Sequence, residues 1–352
     1  MKIFKDIFFI MALVLLTTVT SLAANVMVVN SLPSKACNFS LDNVAQGGNP
    51  ELQGTKGNQE SVDSRFEALK HWYETTHHSS STFMVGFYPY GAAFDGVNIW
   101  VTNSGSESIT KLRASDGTVI GTYAVGFLPR GIAFDGANIW VANSGGNSVT
   151  KLRANDGTIL DTYAVGFYPY GIAFDGVNIW VTNSGSASLT KLRASDGTVF
   201  GTYAVGFDPR GVVFDGSNIW VANSNSNSVT KLRASDGTVL DTYAVGWIPK
   251  WIAFDGTNIW VTNYESGKVT KLRASDGTVL GTFAVGIYPY GITFDGANIW
   301  VVNAGSNNVT KLRASDGAVR GTYNVGLNPR GAVFDGANIW VVNYDSGTVT
   351  KF

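Results

Sequence analysis

Cysteine is almost missing from this sequence: Cys37 is the single one in 352 residues. That excludes an intramolecular disulfide framework and any all-cysteine metal site. Histidine is nearly as scarce. The three present, His71, His77 and His78, all precede residue 80. The rest of the chain therefore lacks the groups for Ser-His-Asp, Cys-His or His-metal chemistry. Net charge is also small, with 25 Lys and Arg against 26 Asp and Glu. Such a balance gives no electrostatic reason to expect nucleic acid as a partner.

Long apolar runs are confined to the N-terminus, "MKIFKDIFFIMALVLLTTVTSLAAN". Lys2 and Lys5, the apolar stretch Ile7–Leu16 and the small-residue exit Ser21-Leu22-Ala23-Ala24 form the pattern of a secretory signal peptide over 1–24. The alternative is an uncleaved anchor, because apolar residues resume at Val26–Val29. Cleavage predicts a secreted, periplasmic or cell-surface protein, in contact with a membrane only if the segment stays. Residues 25–79 read as a polar linker, with a short helix near 60–76 that places Phe66, Leu69 and Tyr73 on one stripe. The His pair in this segment could hold a metal weakly, but a solvated helix end accounts for it.

What is abundant is repetition. Trp stands at 100, 140, 180, 220, 260, 300 and 340, always within "NIWV", with no insertion or deletion between copies. A fixed period of forty residues marks a repeat architecture. Each unit holds four short β-type runs separated by turn chemistry, as in "GIAFD", "IWVTN", "LTKLRA" and "TVFGTYAV" of the third copy. Asp-Gly between apolar runs signals a tight turn, because Gly supplies the positive φ. Four antiparallel strands per unit describe the blades of a β-propeller, whereas a solenoid would need polar end caps that are not seen. The chain stops at "VTKF", after a third strand, while "STFMVG" at 81–86 matches "GTYAVG" at 121–126. The expected fold is therefore all-β, a seven-bladed β-propeller of four-stranded antiparallel blades over 80–352. An N-terminal strand completes the last blade and removes the open sheet edges.

The "WVTN" at 100–103, "WVAN" at 140–143 and their copies resemble the motif of the YVTN family of bacterial β-propellers. "FDGxNIWV" is similar to the repeats of NHL-type propellers and of the streptogramin B lyases. The resemblance covers roughly residues 80–352. It implies the fold strongly and function weakly, since such propellers include lyases, lactonases and simple binding modules. For the lyases it implies a His base and a bound Mg²⁺ in the propeller. No His is present in this one.

The invariant residues have structural explanations. The seven "NIWV" tryptophans suit packing between blades better than a ligand-stacking ring. The thirteen Asp of the Asp-Gly turns satisfy local backbone donors. The repeated "KLR" charges read as a solvated band with modest ion pairs.

Function is sought where copies differ. After Pro they read Tyr90, Arg130, Tyr170, Arg210, Lys250, Tyr290 and Arg330. Just before the inner strand, these residues are expected to ring the channel mouth with aromatic and basic groups. The ring suits a polar or anionic ligand or an acidic segment of a partner. Duplication of a two-blade unit would also produce the Tyr/Arg alternation. The loop after the second strand is bland except in "NYESGK" (263–268) and "NYDSGT" (343–348), which add Tyr264, Glu265 and Tyr344 on the same face. Blade five also departs with "GWIPKWI", so Trp247, Lys250 and Trp251 join Tyr264 and Glu265 in the richest cluster, suited to a sugar or a peptide side chain. Trp251 replaces a glycine found in the six other copies.

These readings predict a monomeric, non-enzymatic binding module without cofactor, its protein, peptide or glycan ligand held on one propeller face. The alternative is an Mg-dependent lyase of the streptogramin B lyase type, or another propeller hydrolase. It would need converging carboxylates, of which Asp208, Glu107, Glu265 and Asp345 are the candidates.

Overall fold

The computed structural model describes residues 80–352. The expected signal peptide (1–24), the linker (25–79) and its short helix lie outside the described residues. Twenty-eight strands form seven four-stranded antiparallel sheets. In six of them the strands follow one another in sequence. In the seventh, Ser81–Met84 takes the outermost place beside Thr348–Lys351, with Ser81 opposite Lys351 and Met84 opposite Thr348. The first strands of successive blades touch one another around the ring, including the pair Pro89–Phe94 and Pro329–Phe334 that closes it. The first strands are therefore the innermost, as the sequence implied.

Each blade is built on its "FDGxNIW" segment. Asp95 Oδ1 accepts the backbone N–H groups of Val97 at 2.9 Å and Asn98 at 2.6 Å, while Oδ2 accepts the Trp100 indole N–H at 2.7 Å. Gly96, at φ 95°, makes the turn that aims the carboxylate back along the strand. Burial raises the Asp95 carboxyl pKa, but the bonds from Trp100, Asn98 and Val97 outweigh it and leave it below its ordinary value. The turn aspartates are thus saturated structural groups.

The tryptophans pack between blades. Trp100 lies with Ile139, Val141 and Leu152 of the next blade, its ring 5.6 Å from Tyr123. The "KLR" lysines depart from the solvated band expected for them. Lys111 is buried over the Trp100 ring and donates from Nζ to the carbonyls of Ala154 at 2.8 Å and Asn155 at 2.9 Å in the following blade. Lys151, Lys191, Lys231, Lys271 and Lys351 repeat this bond, the last reaching Ala114 and closing the ring. A four-carbon stem can cover an indole while its head finds carbonyls. Only the arginines form the expected exposed ion pairs, such as Arg113–Asp116 at 3.0 Å.

Candidate functional site

Two kinds of loop meet on one face of the propeller. Ser104 N donates to Tyr88 O, and Gly105 N to Phe87 O, both at 3.0 Å, tying the loop after the second strand to the loop before the first. Every residue preceding the loop proline has left-handed backbone: Tyr88, Leu128, Tyr168, Asp208, Ile248, Tyr288 and Asn328, at φ between 48° and 55°. Each costs roughly 1–2 kcal/mol in a non-glycine residue, most of all in β-branched Ile248. The left-handed residue and the proline after it lead the chain into the inner strand, whose second residue is Tyr90, Arg130, Tyr170, Arg210, Lys250, Tyr290 or Arg330.

There the three tyrosines meet. Tyr90, Tyr170 and Tyr290 are 4%, 3% and 2% exposed, and their hydroxyls hydrogen-bond one another. Basic groups fill the gaps between the rings. The Arg130 guanidinium lies 4.7 Å from the Tyr90 ring and 5.1 Å from that of Tyr170. Arg330 sits 4.6 Å from Tyr290 and 5.3 Å from Tyr344. Arg210 donates from Nη1 to Tyr170 Oη at 2.8 Å and from Nε to Asp208 Oδ2 at 2.9 Å. Lys250 Nζ stands 5.4 Å from the Tyr264 ring. The result is a closed rosette across the channel, because phenols from three inner strands are long enough to reach the axis.

The rosette is electrostatically tense. Burial, followed by the Arg210 charge, lowers the Lys250 amine to about 8, while Tyr290 and Asp208 pull the other way. Burial and the neighbouring Tyr290 push the Tyr90 phenol well above its usual range, against the pull of Arg130. It is therefore a neutral donor.

The glycine that Trp251 replaces has a steric role. A Cβ at Gly131 would lie 2.1 Å from Tyr170 O, and one at Gly171 2.2 Å from Arg210 O. Neighbouring inner strands approach too closely there for a side chain. Trp251 is half-buried, its ring 6.3 Å from Tyr170 and packed among Tyr90, Tyr290, Tyr264 and Tyr344. With Tyr90, Tyr290 and Arg330 it lines a cavity of about 30 Å³, room for a water or two.

Blade five's expected cluster divides in two. Lys250, Trp251 and Tyr264 belong to the rosette, where Tyr264 also stacks on Tyr288 at 4.7 Å. Trp247 and Glu265 instead line an open groove of about 530 Å³ with Ser266, Lys268, Thr270 and Thr282. The corresponding groove one blade earlier, about 310 Å³, is lined by Ser226, Ser228, Thr230 and Thr242 and has no charged side chain.

Sequence reasoning singled out Trp247 but missed the set to which it belongs. Phe87, Phe127, Phe167, Phe207, Trp247, Ile287 and Leu327 occupy the same loop position in each blade and are 52–75% exposed. They form an apolar crown around the rosette. Its signal was a large apolar residue after every "VG", which reads equally well as core. No group of three or more His, Cys, Asp or Glu side chains gathers among the described residues, and Asp208 is engaged by Arg210. The donor set does not fit the Mg²⁺ of the lyase alternative.

Comparison with solved structures agrees with this architecture. The hydrazine synthase of Kuenenia stuttgartiensis matches with a TM-score of 0.69 and 20% identity, over 79% of this chain and 97% of that one. A streptogramin B lyase matches with a TM-score of 0.67 and 21% identity, over 77% and 96%. The virginiamycin B lyase of Staphylococcus aureus gives 0.66 and 18%, over 78% and 98%. The likeness is one of fold. It supports the distant YVTN/NHL-type similarity read from "WVTN" and "FDGxNIWV". No family model matches the chain, and no curated protein matches it.

Proposed function

We propose that the protein is a secreted or surface-associated binding module whose loop face captures a protein, peptide or glycan without transforming it. The observation that carries this reading is the coaxial arrangement of that face: an exposed crown of large apolar side chains around a cationic, phenol-rich centre. A large apolar side chain exposed at the same loop position of every blade gives this face an apolar contact surface. Trp, Tyr and Arg are the side chains that dominate such contacts. The groove beside Trp247 adds an aromatic face next to a carboxylate, an ammonium and hydroxyls, a set suited to a sugar ring.

Screening the purified protein against glycans, peptidoglycan fragments and secreted proteins tests the reading. A ligand whose affinity falls at least tenfold in Trp247→Ala supports it, whereas binding that no crown substitution alters refutes it. Likeness to the streptogramin B lyases favours a second reading, an eliminating or hydrolysing enzyme. Linearisation of a streptogramin B in the presence of Mg²⁺, abolished by Glu265→Ala or Asp208→Ala, would replace the binding reading with that one.

A further inference from the structure

We propose that the outer face of the rosette is an oxyanion site, in which one carboxylate, phosphate or sulfate group seats over the closed phenols against Arg130, Arg210, Lys250 and Arg330. This rests on the binding reading above and names the chemistry its ligand carries. Four cations face one carboxylate there, Asp208, and that carboxylate is already bonded to Arg210 at 2.9 Å. Buried charge is tolerated when it is paired, and here most of it has no counter-charge.

Individual atoms point the same way. Arg130 Nε and Arg330 Nε are buried with no hydrogen-bond partner, whereas Arg210 Nε, in the same place two blades from the first, has Asp208. The residue equivalent to Asp208 is Leu128 beside Arg130 and Asn328 beside Arg330, so neither has an acid of its own. Lys250 is 9% exposed and meets the Tyr264 ring, but donates no hydrogen bond to any described residue. Its three N–H donors suit the oxygens of an anion.

Guanidinium forks match the planar or tetrahedral oxygens of carboxylate, phosphate and sulfate better than a spherical halide. The three phenol hydroxyls hydrogen-bond one another beside these cations. Lys250 is buried and Arg130, Arg210 and Arg330 are half-buried, whereas Tyr88, Tyr168 and Tyr288 of the same loops are exposed. A single protruding anionic group can therefore reach them, while a flat polyanionic surface cannot. The crown would hold the body of the ligand and the rosette its charged end.

The test is calorimetric titration of the full chain with inorganic phosphate, sulfate and acetate, against sodium chloride at equal ionic strength and neutral glucose. Saturable binding of at least one oxyanion is expected, weakened about tenfold or more by Lys250→Met and retained within a few-fold by Lys250→Arg. Arg113→Gln, in an exposed ion pair far from the rosette, should bind as wild type. If Lys250→Met does not fold, Arg330→Lys serves instead, since it keeps the charge and loses the fork. An oxyanion response no greater than that of chloride, or one unchanged in both variants, overturns the proposal. A ligand that binds the crown but is indifferent to phosphate and to Lys250→Met would leave the binding reading standing and this inference refuted. Oxyanion binding with no crown-dependent ligand would do the reverse.

Discussion

Ala187 and Lys250 show how a single residue records what a repeat position demands. Ala187 closes a short turn at φ 47°, where the copies in blades five and seven have Gly267 and Gly347. A left-handed alanine has a strained Cβ that glycine lacks, although glycine gains more freedom on unfolding. Ala187→Gly is expected to stabilise the propeller by about 0.5–1 kcal/mol in a denaturant titration. Lys250 makes a prediction of a different kind. Its amine titrates near 8 when folded and near 10.5 when unfolded, because burial and then the Arg210 charge disfavour the ammonium more than Tyr290 and Asp208 favour it. Between those values the unfolded state holds the proton and the folded state does not, so stability rises with pH. The rise should be on the order of 2 kcal/mol and should vanish in Lys250→Met, which stability curves at pH 7.5 and 10 will show. Oxyanion affinity should fall over the same range as the ammonium is lost.

Among the elements, the innermost strand is the most constrained. Its glycine lies against a neighbouring carbonyl in blade after blade, and Gly131→Ala would force a Cβ to 2.1 Å from Tyr170 O. Backbone cannot yield as a side chain does, so a loss of about 2–3 kcal/mol is expected by chemical denaturation. Blade five alone carries a side chain there, and its strand still crowds the preceding one: a Cβ at Gly211 would lie 2.8 Å from the Trp251 α-carbon. Trp251 then fills axial space that six glycines leave unfilled. Trp251→Gly should therefore cost stability, about 2–3 kcal/mol for a half-buried ring, and weaken ligand capture by loosening Tyr170. Binding lost with stability unchanged would make Trp251 a direct contact instead.

At the scale of the molecule, the ring stands or falls on its closure. Phe83, on the N-terminal strand, packs 5.5 Å from Trp340 and fills the space beside Gly117 of blade one. It joins two blades that are otherwise the two ends of the described chain. Phe83→Ala should lower stability by about 2–4 kcal/mol, seen as an earlier unfolding transition by circular dichroism. Moving Ser80–Gly86 behind Phe352 in a circular permutant should instead leave the fold intact, because the register between Ser81–Met84 and Thr348–Lys351 is local.

The sequence by itself determined the blade count, the strand order, the inter-blade tryptophans and the closing strand. Those follow from a strict period and from short-range turn chemistry, both legible one unit at a time. It also marked the seven positions after the loop proline as the place to look. Only the tertiary structure decided what those positions do. Tyr90, Tyr170 and Tyr290 lie 80 to 200 residues apart yet share hydrogen bonds, a contact that depends on the radius of the closed ring. The same holds for the apolar crown, for the buried lysines that bridge blades, and for the separation of Trp247 from Trp251. Period and turn chemistry act within a repeat, whereas side-chain burial, charge balance and access are settled across it, by which neighbours the seventh blade brings round to the first.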